Sequence, residues 1–403
     1  MNKKYVIDTE ENKAFMKSLT EDLINFGRKF PAEDGASYYL GGDGTPMAER
    51  PRETWITCRM AHTYSLGKML GFPGCEELVA KAVKGLTDTL QDKENGGWYP
   101  GVLADGTPMK DKQCYGHAFV ILAASSASLI GVPGAKELLE NALDVYDKHF
   151  WDFEKGLTID TYNTDFSEAD SYRGINANMH TVEAFLATAD ATGNEEYRKR
   201  AAGIVEHVLA WAKDNEWRIP EHFTSDWTPD LEFNEDKKDD PFKPYGATSG
   251  HGIEWARLTV QATNHIEEAE LLYNRAISDG WHADGEDGIV YTTDWEGNPV
   301  VHDRMHWTLC EAINTSAVLY RLTGKQKYAD DYAMFLQYAD EKVIDHKNGS
   351  WLHQLDEKNN LKETVWPGKS DLYHAIQATL IPYADVHTSI ATVLSNGPVH
   401  CPV

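Results

Sequence analysis

Two histidines in the sequence occupy settings that suit acid–base chemistry, because each lies in the first turns of a predicted helix. His251 follows a glycine-containing loop and has Glu254 three residues later. His374 follows Asp371 and precedes Gln377, again at spacings of three. Two imidazoles that face one cavity would suit proton transfer near neutral pH, whereas a single histidine of this kind is usually structural.

The position of His251 also bears on its protonation state. Because the positive end of a helix dipole disfavours an imidazolium, we expect His251 to favour the neutral form that can act as a base. Glu254 lies one turn later and could orient His251 or another partner. The alternative is a histidine that caps the helix beside an acidic neighbour.

A third predicted helix carries four polar groups on one short stretch, namely Asn176, Asn178, His180 and Glu183. Burying such groups is costly unless each has a hydrogen-bond partner. We favour a polar network in a ligand pocket over a self-satisfied structural network. A metal site is a third interpretation, although one histidine and one glutamate make an incomplete ligand set.

Two further stretches contain candidate pocket residues. Trp55 and Arg59 are four residues apart and share a helix face, so Arg59 could hold hydroxyls or an anion with Trp55 as a wall. The alternative is an arginine that lies along a core tryptophan. His302 and His306 have the spacing of a metal chelate, but no supporting carboxylate cluster accompanies them. We favour a pocket rim formed by the intervening Arg304 and the following Trp307, at the start of the next helix.

Composition excludes several classes of partner. Acidic residues outnumber basic ones by 64 to 38, which gives a formal net charge of -26. Such a surface repels phosphate backbones and anionic lipid, so neither nucleic acid nor a membrane is expected as a partner. The chain also has 12 Trp and 19 Tyr, whose amphipathic rings suit sugar binding.

The cysteines and the N-terminal sequence predict a cytoplasmic protein. The number of cysteines is odd and none form a C-x-x-C pair, which argues against disulfides and against a thiolate zinc site. The five are Cys58, Cys75, Cys114, Cys310 and Cys401. The first 18 residues have no apolar core typical of a secretory signal. The uncharged stretch 113–135 is interrupted by serine, glycine and proline, so we interpret it as a buried helix.

Hydrophobic periodicity predicts a single all-α domain over residues 1–403 built from twelve helices. They span 10–28, 54–71, 75–92, 112–131, 135–149, 176–192, 195–213, 250–263, 264–279, 307–323, 326–343 and 371–394. Tight glycine and proline breaks join them into six helical hairpins, and Gly-aromatic elements of strand character suggest short β-hairpin loops.

The alternation between two kinds of helix along the chain indicates how the hairpins are arranged. Every second helix carries the unusual polar residues, in its first two turns, whereas the others carry ordinary exposed charge. Alternate helices of shared character indicate an inner ring, which favours a closed toroid over an open solenoid. The sequence therefore predicts an (α/α)6 barrel with one polar, aromatic pocket where the N-termini of the inner helices gather.

Taken together, several of these motifs resemble one known family. They are Trp55-Ile-Thr-Cys-Arg59-Met, Gly96-Gly-Trp-Tyr99, Tyr172-Arg-Gly-Ile-Asn176-Ala-Asn-Met-His180-Thr-Val-Glu183, Gly250-His251-Gly-Ile-Glu254-Trp255 and Gly368-Lys-Ser-Asp371-Leu-Tyr-His374. They resemble the N-acylglucosamine 2-epimerase superfamily, and within it the aldose–ketose isomerase branch. The resemblance covers most of the chain, and it implies an (α/α)6 barrel and proton transfer on a sugar that needs no metal or cofactor.

The resemblance also implies roles for individual residues. His374 is implied to move the proton between C2 and C1, and His251 to assist ring opening or serve the opposite face. The implied substrate-binding residues are Arg59, Trp55, Asn176, His180, Glu254, Trp307 and Asp371, to which we add Gln377. The function expected from this set is interconversion of an aldohexose and its ketose, D-mannose and D-fructose, through a cis-enediolate.

Other functions stay open at this stage. A sulfoquinovose–sulfofructose isomerase would need a grip on the sulfonate, for which Arg59, Lys243 and His353 could serve without forming a complete clamp. A sugar 2-epimerase could use the same two histidines. From other classes, a glycoside hydrolase could draw on Asp165 and the acidic residues already named, and a non-catalytic sugar-binding barrel needs no acid–base pair. The sequence leaves the oligomeric state open, including a homo-oligomer.

Overall fold

The α-helices of the protein form two concentric rings in a computed structural model that describes residues 2–397. The α-helices are Glu10–Gly27 (α1), Thr54–Met69 (α2), Cys75–Lys84 (α3), Cys114–Leu129 (α4), Ala135–Val145 (α5), Ile175–Thr192 (α6), Glu195–Asp214 (α7), Ser249–Ala262 (α8), Ile266–Gly280 (α9), His306–Thr323 (α10), Gln326–Tyr338 (α11), Tyr373–Leu380 (α12) and Ile390–Ser395 (α13). Short 3₁₀ turns cover Lys3–Tyr5 and Ile381–Tyr383, and π turns at Gly85–Thr89, Tyr146–Phe150 and Ala339–Val343 extend α3, α5 and α11.

The inner ring consists of α2, α4, α6, α8, α10 and α12. Each packs against the next, and α12 packs against α2 to close the circle. The helices α3, α5, α7, α9 and α11 each pack outside the inner helix that precedes them, and α1 packs outside α12. The predicted (α/α)6 barrel is confirmed, and so is the assignment of inner and outer helices by parity.

Short antiparallel strands hold the ends where the inner helices begin. They are Arg52–Glu53 (β1), Gly101–Val102 (β2), Lys112–Gln113 (β3), Trp151–Asp152 (β4), Leu157–Thr158 (β5), Thr161–Tyr162 (β6), Arg173–Gly174 (β7), His222–Phe223 (β8), Ala247–Thr248 (β9), Thr292–Thr293 (β10), Pro299–Val301 (β11), Arg304–Met305 (β12) and Gln354–Leu355 (β13). The pairs are β1–β2, β3–β6, β4–β5, β7–β8 and β12–β13, and β9–β10–β11 form a three-stranded sheet. Since β1, β3, β7, β9 and β12 lead directly into inner helices, the strands fix those helix N-termini at one end of the barrel.

Hairpin geometry follows from local sequence. Gly193 and Gly324 end α6 and α10 with φ of 73° and 67°, a left-handed conformation that side chains disfavour. The amide of each glycine bonds the carbonyl four residues earlier, so the helix stops and the next one begins within a few residues.

The predicted last helix, 371–394, is wrong as a continuous element. The helix ends at Leu380 because Pro382 has no amide hydrogen to continue the ladder and its ring clashes with the preceding turn. A 3₁₀ turn and a loop follow before α13. The start is also later than predicted, because the Asp371 carboxylate accepts the backbone N–H of Tyr373 at 2.9 Å instead of lying inside the helix.

The uncharged stretch that the sequence raised as a membrane candidate forms α4, which is buried between neighbouring helices. Among residues 2–397, no helix combines the length and apolar character needed to cross a bilayer. Four of the cysteines are buried free thiols, whereas Cys401 lies outside the described residues.

Candidate active site

A cavity of about 640 Å³ opens at the end of the barrel where the inner helices begin. Its wall includes every predicted site residue except Gln377: Trp55, Arg59, Asn176, His180, His251, Glu254, Trp307, Asp371 and His374. Residues from all six inner helices or the strands and loops that precede them therefore converge on one polar, aromatic site.

The two histidines meet across this cavity with Trp307 between them. The ring of Trp307 has its centre 5.3 Å from that of His251 and 5.8 Å from that of His374. Both imidazoles also line the cavity, as the sequence analysis required. A ligand lying on Trp307 would thus contact both histidines.

His374 is held by a carboxylate from the neighbouring inner helix. Its Nδ1 lies 3.0 Å from Oε1 of Glu311, and Oε2 of Glu311 accepts a bond from Nε of Arg257 at 2.9 Å. Burial lowers the pKa of His374 below its usual value, and the bond to Glu311 only partly opposes this. His374 is therefore a neutral imidazole at pH 7, with Nε2 available to act as a base.

Glu311 itself keeps its negative charge. Burial alone would raise the pKa of Glu311, but the Arg257 guanidinium and the bond to His374 outweigh it and hold the pKa at about 2. A carboxylate fixed beside the imidazole stabilises the imidazolium that forms when His374 takes a proton.

His251 has a carboxylate partner of its own, but from outside the helix. Its Nδ1 lies 2.7 Å from Oε2 of Glu221, whose other oxygen accepts the backbone N–H of Thr248 at 3.1 Å. Glu221 precedes β8, which pairs with the strand β7 that leads into α6, so a strand pair next to the neighbouring inner helix orients the histidine. The expectation that Glu254 might orient His251 is therefore wrong, because Glu254 points instead to the arginine one turn along.

Glu254 is a buried acid with an unsatisfied oxygen. Its Oε1 lies 3.4 Å from Arg257, while Oε2 has no hydrogen-bond partner among the described residues. Burial and the nearby charge of Glu311 raise the pKa of Glu254 well above its usual value. The raised pKa favours the protonated carboxyl, and in that form Glu254 can donate a hydrogen bond to a ligand oxygen.

Arg59 forms the cationic part of the site. Its guanidinium donates to Asp371 at 3.1 Å and to the hydroxyl of Tyr115 at 2.9 Å, while Nε has no partner among the described residues. The guanidinium also lies 5.0 Å from the Trp55 ring centre. Both interpretations of this pair hold, since Arg59 packs along Trp55 and faces the cavity.

Some polar side chains of α6 line the cavity, whereas others bond to neighbouring parts of the barrel. His180 lines the cavity, and its Nδ1 lies 3.7 Å from Oε2 of Glu183. Glu183 turns away to accept bonds from Tyr373 and, at 3.4 Å, from Gln377. Gln377 therefore lies behind the wall of the active-site cavity.

Asn178 belongs to the scaffold. Its side chain bonds the N–H of Thr158 at 3.1 Å and the carbonyl of Gly174 at 3.0 Å. These bonds tie the first turns of α6 to the strands before it, so the structural interpretation of the stretch applies to this residue.

The metal chelate considered for His302 and His306 does not form. His302 bonds Asp284 at 2.9 Å at the surface, whereas His306 stacks on His353 in the cavity wall with ring centres 3.8 Å apart. Arg304 also bonds Asp284, at 2.6 Å, and does not line the cavity, so its predicted place on the rim is wrong. The chelate is absent because His302 precedes β12 whereas His306 begins α10, so the two histidines do not share a helix on which a spacing of four would bring them together.

Two groups of described residues have the spacing of metal ligands. They are His180, Glu183 and Glu254, and Glu254, Glu311 and His374. Arg257 lies against Glu254 and Glu311, so a guanidinium already supplies the positive charge that a metal would bring. These residues fit a hydrogen-bonded acid–base network better than a cation site.

Comparison with known proteins places the chain in a family. The family model for N-acylglucosamine 2-epimerase (GlcNAc 2-epimerase) matches residues 35–378. The chain belongs to this family. It is 40% identical to a D-mannose isomerase of Pseudomonas cannabina pv. alisalensis over 387 residues, or 93% of each chain. It is 38% identical to a D-mannose isomerase of Thermobifida fusca, covering 96% of this chain and 97% of the relative.

A solved structure also matches the fold of this chain. A crystal structure of D-mannose isomerase superimposes with a TM-score of 0.85 at 26% identity, covering 91% of this chain and 96% of that one. The resemblance to the N-acylglucosamine 2-epimerase family predicted from the sequence is confirmed.

Three side chains that hold the site residues in place were not predicted as part of the site. Glu311 lies two turns into an inner helix and Arg257 three residues after Glu254, so their position in the polar ring was a usable signal. Glu221 lies 30 residues before His251 in a hairpin, and nothing in the local sequence connects the two. Only the fold brings that carboxylate to the histidine.

Proposed function

We propose that this protein is an aldose–ketose isomerase that interconverts D-mannose and D-fructose by proton transfer through a cis-enediolate. The observation that carries the proposal is the pair of imidazoles, His251 and His374, that flank Trp307 in one cavity. Relatives at 40% and 38% identity, both called D-mannose isomerase, support the same reaction and sugar.

Ring opening comes first, because the closed pyranose has no acidic C2 hydrogen. A proton must reach the ring oxygen and the anomeric hydroxyl must lose one. His251 is placed to exchange one of these protons, with Glu221 fixing the orientation of its ring. Glu254, whose raised pKa favours the protonated form, lines the same cavity and can supply a donor.

Proton transfer on the open chain follows. We assign the C2 proton to Nε2 of His374, whose Nδ1 is held by Glu311. Negative charge then builds on O1 and O2, and Arg59, with its unpartnered Nε, is the donor that stabilises it. Delivery of the proton to C1, together with transfer of the O2 hydroxyl proton to O1, completes the ketose, and one base on one face is sufficient for the carbon-to-carbon step.

A sugar 2-epimerase is the second candidate, favoured by the presence of the second imidazole. Returning the proton to C2 from the opposite face would use His251. The sulfosugar alternative has less support, since Lys243 lies over the ring of Tyr172 at 3.6 Å and does not line the cavity, which leaves Arg59 and His353 for a sulfonate.

NMR in D2O tests the proposal with a panel of mannose, glucose, fructose, sulfoquinovose and N-acetylmannosamine. We expect mannose to give fructose, with the exchange of the C2 hydrogen abolished in His374→Asn. His302→Asn, a surface histidine outside the cavity, is the control and should retain wild-type turnover. Exchange at the wild-type rate in the His374 variant would remove that residue as the base, and binding without deuterium uptake would indicate a sugar-binding barrel.

A chelation experiment tests metal independence. Because Arg257 occupies the position between Glu254 and Glu311, we expect isomerisation to continue unchanged after dialysis against EDTA. The measurement is the rate of ketose formation before and after dialysis. Loss of activity that zinc, manganese or cobalt restores would contradict the assignment.

A cytoplasmic location stays a prediction from the sequence. Fractionation of the producing cells, with activity measured in each fraction, tests it.

A further inference from the structure

A second cavity lies deeper in the barrel and shares no lining residue with the active-site cavity. We call it the rear cavity. The later turns of the inner helices form its sides, and the chain after α12, residues 381–391, covers it. Its wall is distinct from the catalytic residues, although it lies directly behind them.

Pairs of residues three apart on the same helix form the partition between the cavities. On α6, His180 faces the front and Glu183 the rear; on α8, Glu254 and Arg257 divide in the same way. The members of these pairs touch, at 3.7 Å and 3.4 Å. His374 and Gln377 of α12 complete the partition. Anything that binds in the rear cavity therefore contacts the partners of the catalytic site.

Two buried atoms in the rear wall have lone pairs and no partner. Ser126 donates its hydroxyl to the carbonyl of Leu122 at 3.0 Å, so it must accept from Nδ1–H of His62 at 2.7 Å. Burial lowers the pKa of His62 to about 4, so at pH 7 its Nε2 is a bare acceptor. That Nε2 has no hydrogen-bond partner among the described residues, and the side chain is 1% exposed.

Gln377 presents the second acceptor. Its amide nitrogen faces Oε1 of Glu183 at 3.4 Å, as a carboxylate requires, which leaves the amide oxygen without a partner among the described residues. An unsatisfied buried acceptor costs on the order of 1–3 kcal/mol. An occupant that donates hydrogen bonds would satisfy both acceptors.

Arg257 and Glu183 in the cavity wall are already bonded. Arg257 bonds Glu311 and Glu254, and Glu183 accepts from Tyr373 and Gln377. The Asp385 carboxylate in the cavity wall accepts from the N–H of His387 and the hydroxyl of Thr388. An anion would lose its hydration without gaining a free counter-charge.

The two unpartnered acceptors, on His62 and Gln377, belong to uncharged groups and favour a neutral donor. The remaining wall is largely aliphatic, formed by Leu122, Ala187, Val318, Ile381, Val386 and Ile390.

We propose that the rear cavity is a second binding site, for a small uncharged polyol whose hydroxyls donate to Nε2 of His62 and Oε1 of Gln377. The aliphatic wall accommodates the carbon chain of the polyol. The site is independent of the isomerase assignment, because none of its residues touches the active-site cavity.

Titration with erythritol tests the site in protein that carries ¹⁵N-labelled histidine. The Nε2 resonance that disappears in His62→Leu is that of His62. We expect erythritol to shift this resonance saturably and to raise the midpoint of thermal unfolding. His62→Leu should weaken binding at least tenfold, while His62→Gln, which keeps an acceptor, should retain most of it. Mannose turnover in both variants shows that each is folded.

Two further experiments test the proposal without the His62 variants. Ala187→Leu fills the cavity and should abolish the erythritol shift. Crystals soaked in erythritol should show the polyol against His62. Soaked crystals that hold only water there, or shifts confined to His251 and His374, would overturn the proposal while leaving the isomerase function untouched.

Discussion

The identity of the group bound to each imidazole Nδ1 decides what its Nε2 can do. Glu311 fixes Nδ1 of His374 and Glu221 fixes Nδ1 of His251, so both rings present Nε2 to the cavity. A histidine without such a partner could rotate or change tautomer, and the base would be misplaced by an ångström or more. Each carboxylate is therefore a positioning residue for the histidine beside it.

Replacing Glu311 with glutamine tests this at the residue scale. The charge that stabilises the His374 imidazolium is lost, so we expect kcat to fall about 10²-fold or more, while KM for mannose changes little. The measurement is the initial rate over a range of mannose concentrations. A rise in KM with kcat unchanged would mean that Glu311 acts in binding instead.

The pH profile gives a second readout of the same variant. The base must be neutral, and burial lowers the pKa of His374, so activity should be lost only as the pH falls below the ordinary imidazole value of about 6.5. Glu311 opposes that shift, so Glu311→Gln should move the acid limb of kcat to still lower pH. A limb that moves to higher pH would contradict the assigned base.

Close helix packing is the feature that matters at the scale of elements. Gly250 in the first turn of α8 lies against α10, where an added Cβ would overlap the Trp307 ring and approach Oγ1 of Thr308 at 2.6 Å. The missing side chain is therefore what lets Trp307 lie between the two histidines.

Gly250→Ala should displace Trp307 and impair both binding and chemistry. We expect kcat/KM for mannose to fall at least tenfold and stability to fall by about 1–3 kcal/mol, the usual cost of overpacking. Steady-state kinetics and urea unfolding measure the two effects. The control is Gly203→Ala on α7, where a Cβ meets open space; it should stabilise the helix by about 0.5–1 kcal/mol and leave turnover unchanged.

At the scale of the whole molecule, the two ends of the chain close the ring. The hydroxyl of Thr20 on α1 donates to Thr379 on α12 at 2.8 Å, across 359 residues of sequence. Asn12, fully buried on α1, accepts from the hydroxyls of Tyr332 and Tyr383. The single domain predicted from the sequence should therefore unfold as one unit.

Asn12→Ala tests the closure. It leaves buried hydroxyls without their acceptor, so we expect a loss of at least about 2 kcal/mol. Far-UV circular dichroism and tryptophan fluorescence should shift together during urea unfolding, whereas two separated transitions would argue for independent halves. Asn25→Ala on the exposed face of α1 should change stability little.

The barrel and most of the site wall could be predicted from the amino-acid sequence. Helical periodicity, tight glycine breaks and the alternation of polar and ordinary helices fixed which helices are inside. Polar residues in the first two turns then had to gather at one end, which placed His251 and His374 in one cavity. The rim position of Arg304 and the continuous last helix were wrong, because Arg304 lies on a strand with its side chain on Asp284 and Pro382 ends the helix early.

The groups that hold those side chains become clear from the tertiary structure. Glu221 reaches His251 from a hairpin, and Gln377, one turn beyond His374, falls behind the cavity wall. Spacing along a helix determines the face on which a residue lies, but not its depth along the barrel axis or its neighbour on another element. Those depend on how six inner helices pack at once, and the same packing creates the rear cavity.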